Sequence, residues 1–155
     1  MSSETGSSID MGAVVAAVGD AIVACDAQGR ITVWNAAAER MFGHTPEEAL
    51  GNSLDIIIPE RLRKRHWEGY DKTMATGITR YGTDVLRVPA INKAGQSMSI
   101  AFTVAMLFTP DNQVNSIISV IRDDTSRFNE DRALRKRVAE LEAQLAALAA
   151  PPAAG

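Results

Sequence analysis

Two periods alternate along this chain. Ala21-Ile22-Val23-Ala24-Cys25-Asp26, Ala27-Gln28-Gly29-Arg30 and Ile31-Thr32-Val33-Trp34 read as strand, Gly-containing turn and strand, a hairpin by β-branched content and punctuation. A short apolar helix from about Ile9 to Val18, stopped by Gly19, precedes it. Residues 1–8 are Ser, Gly, Thr and Glu with little to bury, so they are expected to be disordered. After the hairpin, Asn35 is placed to cap a helix from Ala36 to Phe42 that Gly43 ends. Pro46 to Gly51 forms another helical turn, with Pro at its start and Gly at its stop. An apolar stretch from Leu54 to Ile58 leads to a helix that starts at Pro59, continues to about Ala75 and stops at Gly77. Period two then returns. Val85, Arg87 and Pro89 alternate with Leu86, Val88 and Ala90 up to the turn Asn92-Lys93-Ala94-Gly95, and Met98, Ile100, Phe102, Val104 and Met106 take every second position of a long strand. Asp111-Asn112 marks one more turn before a last strand from Val114 to Ile121. Pro89 cannot donate to a ladder, which puts its strand near an edge or bulge. Two strands, a group of short helices and three strands make an α+β domain around an antiparallel sheet of about five strands.

Asp123-Asp124-Thr125 opens a final helix in which Leu134, Val138, Leu141, Leu145 and Leu148 are spaced four, three, four, three. That is an a/d seam, with Arg135, Arg137, Glu140 and Glu142 around it. The seam either packs on the domain's own sheet or joins a second copy; its regularity past the domain favours a parallel dimer. The organisation expected is therefore a disordered 1–8, a domain over 9–124, a coiled-coil helix over 125–148 and a frayed Pro-containing tail over 149–155.

Composition narrows the function classes. At 155 residues, 46% hydrophobic, 23% charged and net charge -3, the chain suits one globular domain with appendages. The acidic balance argues against nucleic acid as a partner, and the basic run Arg61, Arg63, Lys64, Arg65 is diluted by Glu60 and Glu68, so it reads as a solvated helix edge. One cysteine, Cys25, excludes an internal disulfide and suits a reducing compartment. With no apolar run of membrane-spanning length and no secretory pattern at Met1-Ser2-Ser3-Glu4, the expected location is cytoplasmic. Phosphate loops, CxxC or HExxH spacings and nucleophile elbows are absent from the sequence, so no enzyme activity is expected.

The strongest chemical candidate is His66, in Pro59-Glu60-Arg61-Leu62-Arg63-Lys64-Arg65-His66-Trp67-Glu68-Gly69-Tyr70. At 3.6 residues per turn, Leu62, His66, Gly69, Tyr70 and Thr73 share one stripe, while Arg61, Arg63, Lys64, Glu68 and Asp71 mostly point elsewhere. An imidazole facing inward, with few charges nearby and a Gly one turn on, is what a haem iron needs as proximal ligand. A core histidine bonded to a carbonyl fits the same pattern. Cys25 and Trp34 read as packing on the two hairpin strands, and His44 as a solvated loop residue after Gly43.

Gly29-Arg30-Ile31-Thr32-Val33-Trp34-Asn35-Ala36-Ala37-Ala38-Glu39-Arg40-Met41-Phe42-Gly43, then Glu47-Glu48-Ala49-Leu50-Gly51, and a close on Arg122-Asp123-Asp124-Thr125 resemble a PAS domain over roughly Val14 to Arg127. The resemblance implies a five-stranded antiparallel sheet with helices over one face, a small cavity that in various members holds haem, flavin, a metabolite or nothing, and a role in signalling rather than catalysis. A narrower resemblance is to the haem-binding PAS sensors, the FixL-like oxygen-sensor kinases and direct oxygen sensor phosphodiesterases. His66 stands 29 positions before Gly95 of the Lys93-Ala94-Gly95 hairpin, which aligns with those families without a gap. The resemblance thereby implies haem b on His66, with Tyr70 close by and Lys72 and Arg80 at the haem propionates, where two carboxylates need cationic donors.

Departures from that pattern matter as much. Leu86 stands where the FixL type has an oxygen-holding Arg, and Asp84 where the phosphodiesterase has a Met ligand. With no donor over the iron, NO or CO becomes as plausible a ligand as oxygen. Arg87, one position on, should face the other side of its strand. Met98 and Met106 are within the range of candidates for approaching a haem, although core filling explains both. The resulting expectation is a sensor of a diatomic gas or of redox state, homodimeric through its carboxy-terminal helix and acting on a downstream output domain or partner. Alternatives are a cofactor-free PAS dimerisation module, with His66 structural, and a binder of a small organic acid through Arg87 or Arg80.

Overall fold

The computed structural model of the chain describes residues 8–79 and 82–152. Helix α1 (Met11–Ala17) is followed by strands β1 (Ala21–Cys25) and β2 (Ile31–Trp34), helices α2 (Ala36–Phe42) and α3 (Pro46–Ala49), a 3-10 turn (Leu54–Ile57) and helix α4 (Glu60–Thr76). Strands β3 (Leu86–Ile91), β4 (Ser97–Phe108) and β5 (Val114–Asp123) come next, and helix α5 (Thr125–Ala149) closes the chain. The sheet order is β2-β1-β5-β4-β3 with every pairing antiparallel, the α+β architecture expected.

Local chemistry explains the boundaries. The Asp26 carboxylate accepts the backbone N–H groups of Gln28 and Arg30, and Gly29 takes φ +76°, which closes the β1–β2 hairpin. Asn35 caps α2 by accepting from the Ala38 N–H, and Gly43 ends it at φ +83°. Asn35 does more than cap: it is the one buried polar residue among those described. Its Oδ1 also accepts from the Ile22 N–H and its Nδ2 donates to the carbonyls of Val15 and Asp20. All its hydrogen-bonding capacity ties α1, β1 and α2 together, which satisfies a buried amide that would otherwise cost about 1–3 kcal/mol.

β3 is an edge strand, so Pro89, opposite Ser99, costs no shared ladder bond. The β3–β4 register is uninterrupted, with Leu86 opposite Phe102, Val88 opposite Ile100 and Ala90 opposite Met98. These six share the inward face with Val104 and Met106 of β4. Arg87 consequently faces outward, as expected from its parity, and pairs with Asp124 at 3.3 Å. The seam of α5 does not fold back on the sheet, for no residue of that helix is buried. The expected disordered start lies outside the described residues except for Ser8. Of the tail, 150–152 are non-helical, and 153–155 also lie outside the described residues.

Candidate functional site

Two aromatic side chains fasten α4 to the hairpin and the 3-10 turn. The Tyr70 hydroxyl donates to the Asp26 carbonyl, and Trp67 Nε1 donates to Asp55 Oδ1 at 2.7 Å. The Trp67 ring rests on the bare backbone of Gly29: a Cβ at that position would lie 2.3 Å from ring carbons. His66 sits against both rings, edge-on to Trp67 at 4.6 Å between centroids and tilted on Tyr70 at 5.9 Å.

His66 Nδ1 is buried and has no hydrogen-bond partner. Burial pushes the imidazole below its ordinary pKa, against a smaller upward pull from the Asp55 carboxylate. The side chain is therefore neutral at neutral pH and retains a nitrogen lone pair, the form that binds a metal. A core histidine bonded to a carbonyl is not what the structure has at Nδ1.

The inward stripe of α4 differs from the expected one in two places. Gly69 is exposed, with open space where a Cβ would stand, because the seats of Trp67 and Tyr70 turn the helix toward the hairpin. Arg63, expected to point away, is half-buried: its Nε donates to the Ile58 carbonyl at 3.1 Å and lies 3.9 Å from Asp55. Carbonyls left free at the end of the 3-10 turn attract this guanidinium inward.

Of the other residues singled out by sequence, Tyr70 is beside His66 but its hydroxyl is committed to Asp26. Lys72 is exposed on α4, its ammonium in no ion pair among the described residues. Leu86 is half-buried on the inward face of β3, and Met98 is buried at the other end of that register. Four strand positions, about 13 Å, separate Leu86 from the Ala90 that Met98 faces. Arg80 lies outside the described residues. Arg87 is on the outward face, paired with Asp124 at 3.3 Å.

Trp67 and Asp55 are anchors of α4 that the sequence does not announce; a turn glycine at Gly29, 38 positions away, carries no mark of what will rest on it. His44, expected in solvent, has a side chain only 14% exposed, and its Nε2 is buried without a partner. The Trp34 indole, which donates to the His44 carbonyl, and Glu48 at 4.0 Å draw it in. Cys25 is buried as expected, and desolvation pushes its thiol to about 12, which leaves it inert.

These residues fit a haem in part of what it requires. His66 supplies a neutral nitrogen donor, Phe102, Val104 and Met106 with the half-buried Leu86 an apolar surface on β3 and β4, and Lys72 an exposed cation for a carboxylate. Two surface clefts, of about 480 Å³ between Arg40–Gly43 and Asn92–Ala94 and about 690 Å³ between Pro59–Arg63 and Ile91, do not include His66. Among the described residues no cluster of His, Cys, Asp and Glu is arranged for a metal ion held by protein alone, and no helix is long and apolar enough to cross a membrane.

A family model described as the PAS fold matches residues 10–124. A stretch of 118 residues, 76% of the chain, is 30% identical to an uncharacterised protein of Azorhizobium caulinodans, of which it covers 16%. A shorter stretch of 47 residues, 30% of the chain, is 43% identical to the sensor protein FixL of Bradyrhizobium diazoefficiens, of which it covers 9%. The chain thus spans less than a fifth of the length of either relative. Among solved structures, the PAS domain of a Colwellia psychrerythraea protein superposes with TM-score 0.65 at 21% identity, over 75% of this chain and 95% of that one.

Proposed function

Because the chain belongs to the PAS family, a family of sensory domains, we propose that it senses a diatomic gas or a redox change through haem b held by His66, and signals as a homodimer to an output domain or partner. The buried, unpartnered Nδ1 on a neutral imidazole carries the haem reading. The local identity to the FixL sensor protein supports it. When bound, the haem would supply an iron centre with a position open to a small ligand.

The chain's own residues do the rest. His66 would hold the iron from α4, Lys72 would neutralise a propionate, and the wall of Leu86, Phe102, Val104 and Met106 would exclude water. Leu86 belongs to this wall, while its neighbour Arg87 pairs with Asp124, the residue just before α5. A displacement of β3 against the site therefore pulls directly on the start of the output helix. Asp124 is tied there by its N–H to the Ser99 carbonyl, and Thr125 Oγ1 bonds Asp123. A bias of a few kcal/mol between two such arrangements is enough for a switch.

A cofactor-free dimerisation module is the second reading, favoured by the closed seat of Trp67 on Gly29 and by the position of both clefts away from His66. Titration of the purified chain with haemin separates the two. We expect one equivalent to be taken up with a Soret band, and His66→Ala to abolish stoichiometric uptake; a flat titration, or equal uptake by the variant, establishes the cofactor-free module instead.

A further inference from the structure

The inward face of the sheet is unevenly covered. Val23 and Cys25 of β1 and Ile117 and Ile121 of β5 are buried, whereas Leu86, Phe102, Val104 and Met106 keep part of their surface open although they point the same way. Space therefore remains over β3, β4 and the middle of β5. In register, Phe102 stands opposite Ile121, Val104 opposite Ser119 and Met106 opposite Ile117. Ser119 is the one polar side chain among these six, and the buried Val23 flanks it on its other side.

Packing alone gives no reason for a hydroxyl there. Strand β5 lies between β1 and β4, and an apolar side chain of similar size would fill the position with no polar group to desolvate. Ser119 is half-buried, and no hydrogen bond reaches its hydroxyl among the described residues. Nor is that hydroxyl sealed in, for the side-chain polar atoms both buried and unpartnered among those described belong to His44 and His66. It is an open donor one strand spacing, about 5 Å, from Val104 in the apolar wall. Arg87 is turned to the outward face and paired with Asp124, so among the six paired positions Ser119 alone can donate.

We propose that Ser119 donates a hydrogen bond to the gas held over the haem and so sets the choice between oxygen and CO. This rests on the haem reading above and names the group that discriminates among its ligands. Bound oxygen draws negative charge onto its outer atom whereas CO gains little, so a hydroxyl donor stabilises the first more than the second. The period that turns Arg87 away from the site leaves the task to a neutral donor on the central strand.

The full chain loaded with haem tests this by oxygen affinity, CO affinity and the C–O stretching frequency of the CO complex, each compared with Ser119→Ala and Ser119→Thr. In Ser119→Ala the ratio of oxygen to CO affinity falls about fivefold, which is what one hydrogen bond of ordinary net strength amounts to, and the stretch moves to higher frequency. Ser119→Thr keeps the hydroxyl and retains the native ratio and stretch. An unchanged ratio and stretch in Ser119→Ala, an equal loss of both gases, or a Ser119→Thr variant that behaves like Ser119→Ala overturns the role of Ser119 and leaves the haem reading standing. So does a native chain that takes up haem but forms no oxygen complex. A chain that takes up no haem overturns both.

Discussion

Within its 7 residues α2 buries Ala37, Ala38 and Phe42, whereas α4, with 17 residues, buries only Tyr70. The strands beside them repeat the contrast: four of the five residues of β1 are buried, against Ala90 alone in β3. On the first side, apolar contact and the saturated amide of Asn35 hold the parts rigidly. On the second, α4 is held by a few identifiable contacts, Trp67 on Gly29, Trp67 to Asp55 and Tyr70 to Asp26. Elements that move in response to a ligand come from the less buried, less stable part of a fold, and the candidate ligand His66 is on that part.

Substitutions on the two sides should differ most. Phe42 is 0% exposed, so Phe42→Ala is expected to cost about 3–5 kcal/mol in chemical denaturation, enough to threaten folding. Val88, 37% exposed on β3, should lose about 1 kcal/mol or less on truncation to Ala. Comparable losses at both positions would remove the contrast.

Next in size is Gly29→Ala, which combines φ +76° with a Cβ 2.3 Å from the Trp67 ring. About 1–3 kcal/mol of destabilisation is expected, with a change in Trp67 emission as the indole leaves its seat. An unchanged midpoint and spectrum would mean that the aromatic latch does not fasten α4.

The smallest effect expected is that of acid. His66 has a folded-state pKa below its unfolded one, so its contribution to stability is present above about pH 6.5 and is lost as pH falls through the folded value. Denaturation midpoints should drop over that window in the native chain and less in His66→Asn. A drop of equal size in the variant would assign the acid sensitivity to other groups.

The legible parts of this fold are those whose chemistry is local. Asn35 before Ala36, Gly43 after Phe42 and the glycine turn between β1 and β2 each act within a few residues, and the expected boundaries of β2 and α2 agree with the structure. Parity along β3 also predicts that Arg87 turns away from Leu86, as it does. What escapes the sequence is distant: the meeting of Trp67 with Gly29, the ion pair of Arg87 with Asp124, and the inward draw of His44. Periodicity locates the stripe of α4 to within one residue, but its rotation depends on which hairpin receives the aromatic rings. The candidate site is legible as His66 on an inward face, and its surroundings are not.

Hydrogen exchange of the native chain, alone and with one equivalent of haemin, tests most directly whether His66 lies on an element that yields to its ligand. Amides of α4 and β3 should exchange by local opening, well ahead of those of β1, β5 and α2, and haemin should slow α4 in the native chain but not in His66→Ala. Uniform exchange across the domain, or identical protection in the variant, would contradict the account.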